Sequence, residues 1–397
     1  MKQDLQEVSV QQIRSFRLHS HHLDAIYSPD DVEEITGASG IINSPPGSWE
    51  TAMHVRVPSL TLSDIENLLN TKKSLVQAWS LRGAPAIFPV ADSGAFLSAL
   101  VAKPGEAWIY TKGIKLALDF LQTEFETLFA LMLKVMPQLD NLTVTSKSQL
   151  DRTIANWMQP LLPPAMQDSW NEPSMYGYSE SQIVGDSIVS FMLRPCAFLG
   201  LVVFADRQGI SPTFTSFKNW VGQALEADAE AEKQLVRKFL HCYGPATVGM
   251  LVSWLGCSGQ QGKRLWQTVS DEIEPVKSLD QKAFILSVDK EQLFSEPSFT
   301  RELLLLGGHD PYLDCRDRLA LLPDPSHNQL VWRTVTNPGV VLQQGEIIGV
   351  WTGLKKSKGI EAKISLWAKT KNRKQLQNLA EEYAAFRQQK LVSVEIE

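Results

Sequence analysis

Cysteine is scarce in this sequence: four in 397 residues, at Cys196, Cys242, Cys257 and Cys315, with no Cys-x-x-Cys pair. That excludes a disulfide scaffold and the cysteine-rich zinc modules, and it points to reduced structural thiols. Long apolar runs are missing too. The longest, Cys196 to Ala205, has ten residues, whereas a bilayer helix needs about twenty. No membrane association is expected. The first thirty residues carry Arg14, Arg17 and three histidines, without the continuous apolar stretch of roughly 7 to 15 residues that a signal peptide requires. A cytoplasmic protein is expected. Neither sign of charge dominates: 38 Lys and Arg against 44 Asp and Glu give a formal charge of −6, which argues against indiscriminate attraction of nucleic acid by the whole-molecule field. There is no Gly-x-Ser-x-Gly elbow, and His241 beside Cys242 has no identifiable third member of a triad.

What is present is an ordinary globular composition, 44% apolar, 21% charged and 9% aromatic. At roughly 100 to 200 residues per domain, the length provides for two to four compact units. The charge is unevenly spread. Between Thr352 and Lys374 stand eight basic residues (355, 356, 358, 363, 369, 371, 373 and 374) against the single Glu361, while acidity gathers at 30–34 and 226–232.

The clearest periodicity runs from Glu232 to Val288. Leu235, Val236, Phe239 and Leu240 recur at helical spacing, Tyr243-Gly244-Pro245 stops that helix, and Thr247 caps a second through Trp254 and Leu255. Gly256 supplies a left-handed stop, Ser258 caps a third helix with Leu265 and Trp266, and apolar strands follow at 273–276 and 284–288. Three helices with a tight turn, then a hairpin, is the order of a winged helix. The order recurs more weakly in two places. Near the start, a helix with Ile13, Phe16, Leu18 and Leu23 leads to a helix at 63–69 and strands at 76–79 and 86–90. In the middle, helices near 116–136, 147–158 and 179–192 precede strands at 198–204 and 213–218. From Leu303, runs at 330–336, 340–342, 347–351 and 363–367 read as strands, closed by a polar helix at 373–389. The expected fold is α+β: winged-helix units at 1–100, 101–225 and 226–295, then a small antiparallel β-barrel or sheet with a terminal helix at 296–397.

Several constellations bear on function. The polar face Gln260, Gln261, Lys263, Arg264 and Gln267 lies on the helix that enters the major groove in tight-turn motifs, where Gln pairs with adenine and Arg with guanine or phosphate. A solvated helix face is the plain alternative. The segment 256–264 superficially resembles a phosphate loop, but five residues separate Gly256 from Gly262 and Arg264 stands where Ser or Thr should. His19, His21 and His22 lack a Cys or carboxylate at ligand spacing, so neither a metal nor a cofactor is expected. Lys355, Lys356 and Lys358 occupy a predicted hairpin turn that could straddle a phosphate backbone, and Arg82 a wing-like turn that could meet phosphate or minor groove. A structural hydrogen bond is an equal reading for Arg82. The cluster 310–318, with Asp310, Asp314, Asp317, Arg316 and Arg318, reads as internal ion pairs fixing a loop.

Taken together, the ordered motifs Ala78-Trp79-Ser80-Leu81-Arg82-Gly83-Ala84-Pro85, Tyr243-Gly244-Pro245-Ala246-Thr247, Trp254-Leu255-Gly256, Asp310-Pro311-Tyr312, Arg316-Asp317-Arg318, Asn337-Pro338-Gly339 and Gly349-Val350-Trp351 resemble the AlkZ-like family of tandem winged-helix DNA glycosylases. The resemblance runs from about Arg14 to Trp367. It implies three winged helices and a C-terminal barrel around a concave DNA-binding surface. It also implies hydrolysis of the N-glycosidic bond of bulky or crosslinking N7-alkylpurines in double-stranded DNA. The family carries Gln-x-Gln or Gln-x-Asp just after a glycine to position water. Here the matching stretch is Gly40-Ile41-Ile42-Asn43-Ser44: Ile42 takes the first position and Ser44 the second, with Asn43 pointing the other way if the strand alternates. Ala84 and Ala86 replace the usual Thr and His. For an active enzyme, the resemblance makes Ser44 and Asn43 the water-positioning candidates, with Arg82, Lys263, Arg264, Lys355 and Lys356 holding the duplex. The alternatives are a noncatalytic lesion-binding protein, a transcriptional regulator or a protein-interaction scaffold.

Overall fold

Local signals set the helix boundaries of the third unit. Thr247 and Ser258 cap the helices Val248–Leu255 and Gly259–Gln267 by accepting hydrogen bonds from Met250 N and Gln261 N. Between them Gly256 takes φ 70°, and a Cβ there would lie 3.0 Å from Cγ of Arg82, so the bare backbone lets this turn rest on the arginine. The computed structural model describes residues 5–177, 181–368, 370 and 372–397. Ser179, at the expected start of a helix, and Lys369 and Lys371 of the basic stretch lie outside the described residues.

One succession of elements occurs three times: helix, short strand, helix, helix, hairpin. In the first unit it is Val32–Ser39, Ile41–Ile42, Ser48–Arg56, Leu62–Asn70 and the hairpin Leu75–Trp79 with Pro85–Pro89. In the second it is Phe125–Val135, Val144–Thr145, Lys147–Met158, Val184–Phe198 and the hairpin Val203–Gln208 with Ser211–Thr215, with the short Pro164–Trp170 helix inserted. In the third it is Ala231–Tyr243, a single bridge from Ala246 to Phe284, the two capped helices, and the hairpin Ile273–Ser278 with Gln281–Leu286.

The helix Val10–Ser20, read above as the opening of the first unit, packs instead on the third. Buried Arg17 donates to the carbonyls of Tyr243 and Gly244 at 2.7 and 3.1 Å and bidentately to Asp317 at 2.8 and 2.7 Å. Ahead of it, Glu7–Val8 pairs in parallel with Lys277 and Ser278. The long middle helix runs through Phe198 to a left-handed Gly200, so the strand expected from 198 begins at Val203. The next strand likewise ends at Thr215, because Ser216 caps the helix Phe217–Val221.

The C-terminal region is an open five-stranded sheet rather than a closed barrel, in the order Leu303–Leu306, Gly339–Gln343, Glu346–Lys356, Gly359–Leu366, Leu391–Ile396. The first three pairings are antiparallel, but the last is parallel. The helix Arg373–Phe386 carries the chain back along the sheet, and a parallel neighbour needs such a crossover. The run 330–336 is not a strand. It begins in the short helix Asn328–Val331 and continues irregularly, with Trp332 docked by a hydrogen bond to the Leu313 carbonyl (3.2 Å) and Arg318 4.4 Å over its ring. Among the described residues, no helix is long and apolar enough to cross a membrane.

Candidate functional site

The glycine-led stretch matched to the family motif folds as a strand and a clamped loop. Gly40 ends the helix Val32–Ser39 at φ 68°, a backbone that L side chains rarely adopt. Ile41 and Ile42 then pair with Ile87 and Ala86. Strand alternation separates the next two side chains. Ile42 lines a cleft with Arg82, Trp254, His309, Asp314, Trp332 and Asn337. Asn43 turns to the opposite side, into a separate cavity beside Gln77 and Trp49.

Asn43 is 4% exposed and fully engaged. Its backbone N–H donates to Pro85 O (2.8 Å), its Oδ1 accepts from Gly47 N (2.7 Å), and its Nδ2 donates to Gln77 Oε1 (3.2 Å). The loop is held further by Ser48 Oγ on the Ile42 carbonyl (2.9 Å) and by Arg387 on the Gly47 carbonyl (3.1 Å). Ser44 is exposed on that loop. The structure therefore splits the two candidates: one is a buried loop clamp and the other faces solvent. Neither lines the cleft of Ile42.

The cleft has its own polar groups. Arg82 is left-handed at φ 55° and donates to the Trp254 carbonyl (2.7 Å) and Asp314 Oδ2 (2.6 Å). Of the three carboxylates in 310–318, two are locked away. Asp310 is in a fully buried bidentate pair with Arg56 (2.7 and 2.9 Å), and Asp317 in the pair with Arg17. Asp314 alone remains partly open, its side chain 23% exposed. Beside it, burial outweighs the opposing pull of Asp314 and, with a smaller push from the Arg82 charge, holds the His309 imidazole below its usual range, which keeps it neutral at neutral pH. Asn337 accepts from Arg333 N (2.8 Å) and donates to Gly308 O (3.4 Å). The sequence reading passed over His309, Trp332 and Asn337 as site residues, although His309 directly precedes Asp310-Pro311-Tyr312 and Asn337 opens Asn337-Pro338-Gly339.

On the helix Gly259–Gln267, only part of the polar set reaches solvent. Gln260, Lys263 and Gln267 are exposed on one face. Gln261 is fully buried and donates to the Leu100 carbonyl (3.1 Å). Arg264 is bound by Glu106 (2.7 and 2.9 Å) and Glu232 (2.7 Å). Lys355, Lys356 and Lys358 are exposed at the tip of the hairpin, closed where Lys356 faces Gly359. The histidines at 19, 21 and 22 point to Asp24, the Cys242 carbonyl and Glu34 respectively. Among the described residues, no group of three or more His, Cys, Asp or Glu is placed to hold a metal ion.

Against known proteins, the family described as DNA glycosylase AlkZ-like matches residues 38–386. The interstrand DNA cross-link repair glycosylase of Streptomyces sahachiroi is 26% identical over 295 residues, 70% of each chain. The solved structure of the S. sahachiroi DNA glycosylase AlkZ superposes with a TM-score of 0.75 at 20% identity, covering 98% of this chain and 100% of that one.

Proposed function

Because this chain belongs to the AlkZ-like DNA glycosylase family, we propose that it binds double-stranded DNA carrying a bulky or crosslinking N7-alkylpurine and releases the damaged base. The observation that carries the reading is the cleft at position 42. The family's motif position opens onto a walled site that combines a carboxylate, a neutral imidazole and an amide. Alkylation at N7 makes the purine cationic and a good leaving group. The protein then has only to orient water and steady an oxocarbenium-like sugar.

In this reading the three repeated units are tandem winged helices, at about 1–100, 101–225 and 226–295, ahead of the C-terminal β domain, with Glu7–Val8 and the helix Val10–Ser20 at the head of the first range serving the third unit. Gln260 and Lys263 address the major groove from the third unit, and Lys355 and Lys356 take phosphates from the hairpin. The buried or ion-paired states of Gln261, Arg264 and Arg82 favour a scaffolding share for those three. No metal or cofactor is required by this chemistry.

A second reading has its own support. Ile42 cannot bind water and Ser44 lies outside the cleft, which favours a noncatalytic lesion-binding protein or a transcriptional regulator. One experiment separates them: excess protein is incubated at low salt with duplex containing N7-methylguanine, and abasic sites are counted against a no-protein control. Release above spontaneous depurination supports the glycosylase. No release, with binding that prefers alkylated over plain duplex of any sequence, moves the protein to lesion binding. Selection of one unmodified sequence over random competitor marks a regulator.

A further inference from the structure

The reaction proposed above needs a polar group that orients water and steadies positive charge at the sugar, and the family's two water-positioning places do not supply one here. Ile42 is apolar and Ser44 lies outside the cleft. A group that takes over must line the cleft, reach solvent and keep an unsatisfied acceptor. Asp310 fails because it is 2% exposed, with both oxygens on Arg56. His309 is neutral and carries no charge. Asn337 has both heteroatoms engaged, Oδ1 with Arg333 N and Nδ2 with Gly308 O.

Asp314 meets all three conditions. It lines the same cleft as Ile42 and is partly exposed. Its Oδ2 is held by Arg82 at 2.6 Å, but Oδ1 has only a 3.4 Å contact with Arg316, longer than a good hydrogen bond. That oxygen keeps lone pairs for a water. Arg82 is itself fixed by the Trp254 carbonyl, so the carboxylate is held in one orientation before any substrate arrives.

Resting on the glycosylase reading, we propose that Asp314 is the catalytic carboxylate of this protein, replacing the water-positioning pair lost at Ile42 and Ser44, with Arg82 as its positioning residue. The C1′–N9 bond breaks and its electron pair goes to N9, so the cationic N7-alkylpurine leaves as a neutral base. The positive charge passes to C1′ and O4′ of the sugar, where Asp314 stabilises it. Water held on Oδ1 adds to C1′ and gives its proton to the carboxylate, which passes it to solvent.

The test is Asp314→Asn, which keeps the shape and an acceptor for Arg82, checked for an unchanged melting temperature. Two quantities are measured: release of N7-methylguanine from duplex, and affinity for duplex carrying a cationic pyrrolidine abasic mimic relative to a neutral tetrahydrofuran one. The expected result is at least a roughly 100-fold loss of release at unchanged affinity for N7-methylguanine duplex. The wild type should also prefer the cationic mimic by at least about tenfold, and the variant should lose that preference. A variant that releases base within about threefold of wild type overturns the proposal. Wild-type protein that releases no base but keeps an Asp314-dependent preference for the cation removes the glycosylase reading and with it the catalytic role, leaving Asp314 only as the group that faces the sugar. Absence of that preference in the wild type overturns the assignment.

Discussion

The pair Arg56–Asp310 offers the sharpest test of how the first unit is tied to the C-terminal region. The two side chains are 1% and 0% exposed and form a bidentate bridge at 2.7 and 2.9 Å between segments 254 residues apart. Arg56 also donates to the carbonyls of His21 (2.7 Å) and Ala52 (2.8 Å). Asp310→Asn keeps the shape and removes the compensating charge, leaving a guanidinium buried with only neutral acceptors. Breaking one side of a buried pair costs about 3 to 5 kcal/mol. At about 2 °C per kcal/mol for a chain of this size, the melting temperature should fall by about 6 to 10 °C. Calorimetry or circular dichroism reads this directly. Removing both charges with Arg56→Met/Asp310→Leu should recover most of the loss, because desolvation is then no longer opposed by half a pair. A single variant that melts within about 2 °C of the parent would refute the reasoning.

Further outcomes follow from the same structure. Arg264→Ala leaves Glu106, whose side chain is 2% exposed, without its partner, and should lower stability by about 1 to 3 kcal/mol in denaturant titration with duplex affinity little changed. Lys263→Ala should do the reverse, weakening binding in a fluorescence titration without moving the unfolding midpoint. The double variant Lys355→Ala/Lys356→Ala should reduce the slope of log affinity against log salt by about 1 to 2; an unchanged slope removes the hairpin from the phosphate contacts. His54, stacked on Phe386 at 4.3 Å, is pushed down to about 4 by burial and by the charges of Arg387 and Arg301. The unfolded chain protonates this group at its ordinary 6.5, so its contribution is full above 6.5 and is lost as pH falls toward 4, a change of about 3 kcal/mol. His54→Phe should flatten that part of the pH–stability curve relative to the parent.

Where the signal was local, the sequence reading and the structure agree. The caps Thr247 and Ser258 and the stop at Gly256 are short-range chemistry and stand in the structure as read, while the hairpin strands, expected at 273–276 and 284–288, run Ile273–Ser278 and Gln281–Leu286 because the chain turns out of the sheet at Ser287. The helix Val10–Ser20 was assigned to the wrong neighbour because periodicity gives a helix its apolar face but not its partner. That choice is made by Arg17 reaching the Tyr243 and Gly244 carbonyls of the third unit, held in place by Asp317. The parallel final strand was likewise invisible, since Leu391–Ile396 carries no mark of the crossover that delivers it. At the site, alternation correctly separated Asn43 from Ile42. The fates of Gln261 and Arg264 could not be read from a helical face, because what buries them, the Leu100 carbonyl and Glu106, comes from another unit.

The parallel pairing of Glu7–Val8 with Lys277 and Ser278 has a bearing on synthesis order. The partners are 270 residues apart, so at ribosomal speeds of about 5 to 20 residues per second the early segment waits roughly 15 to 50 s for its place in the sheet. During that interval Ile13 and Phe16, both buried in the finished fold, have no native cover. Slowing translation before residue 278 should lengthen the time this segment is open to chaperones and proteases, and deleting residues 5–8 should unsettle the third unit rather than the first.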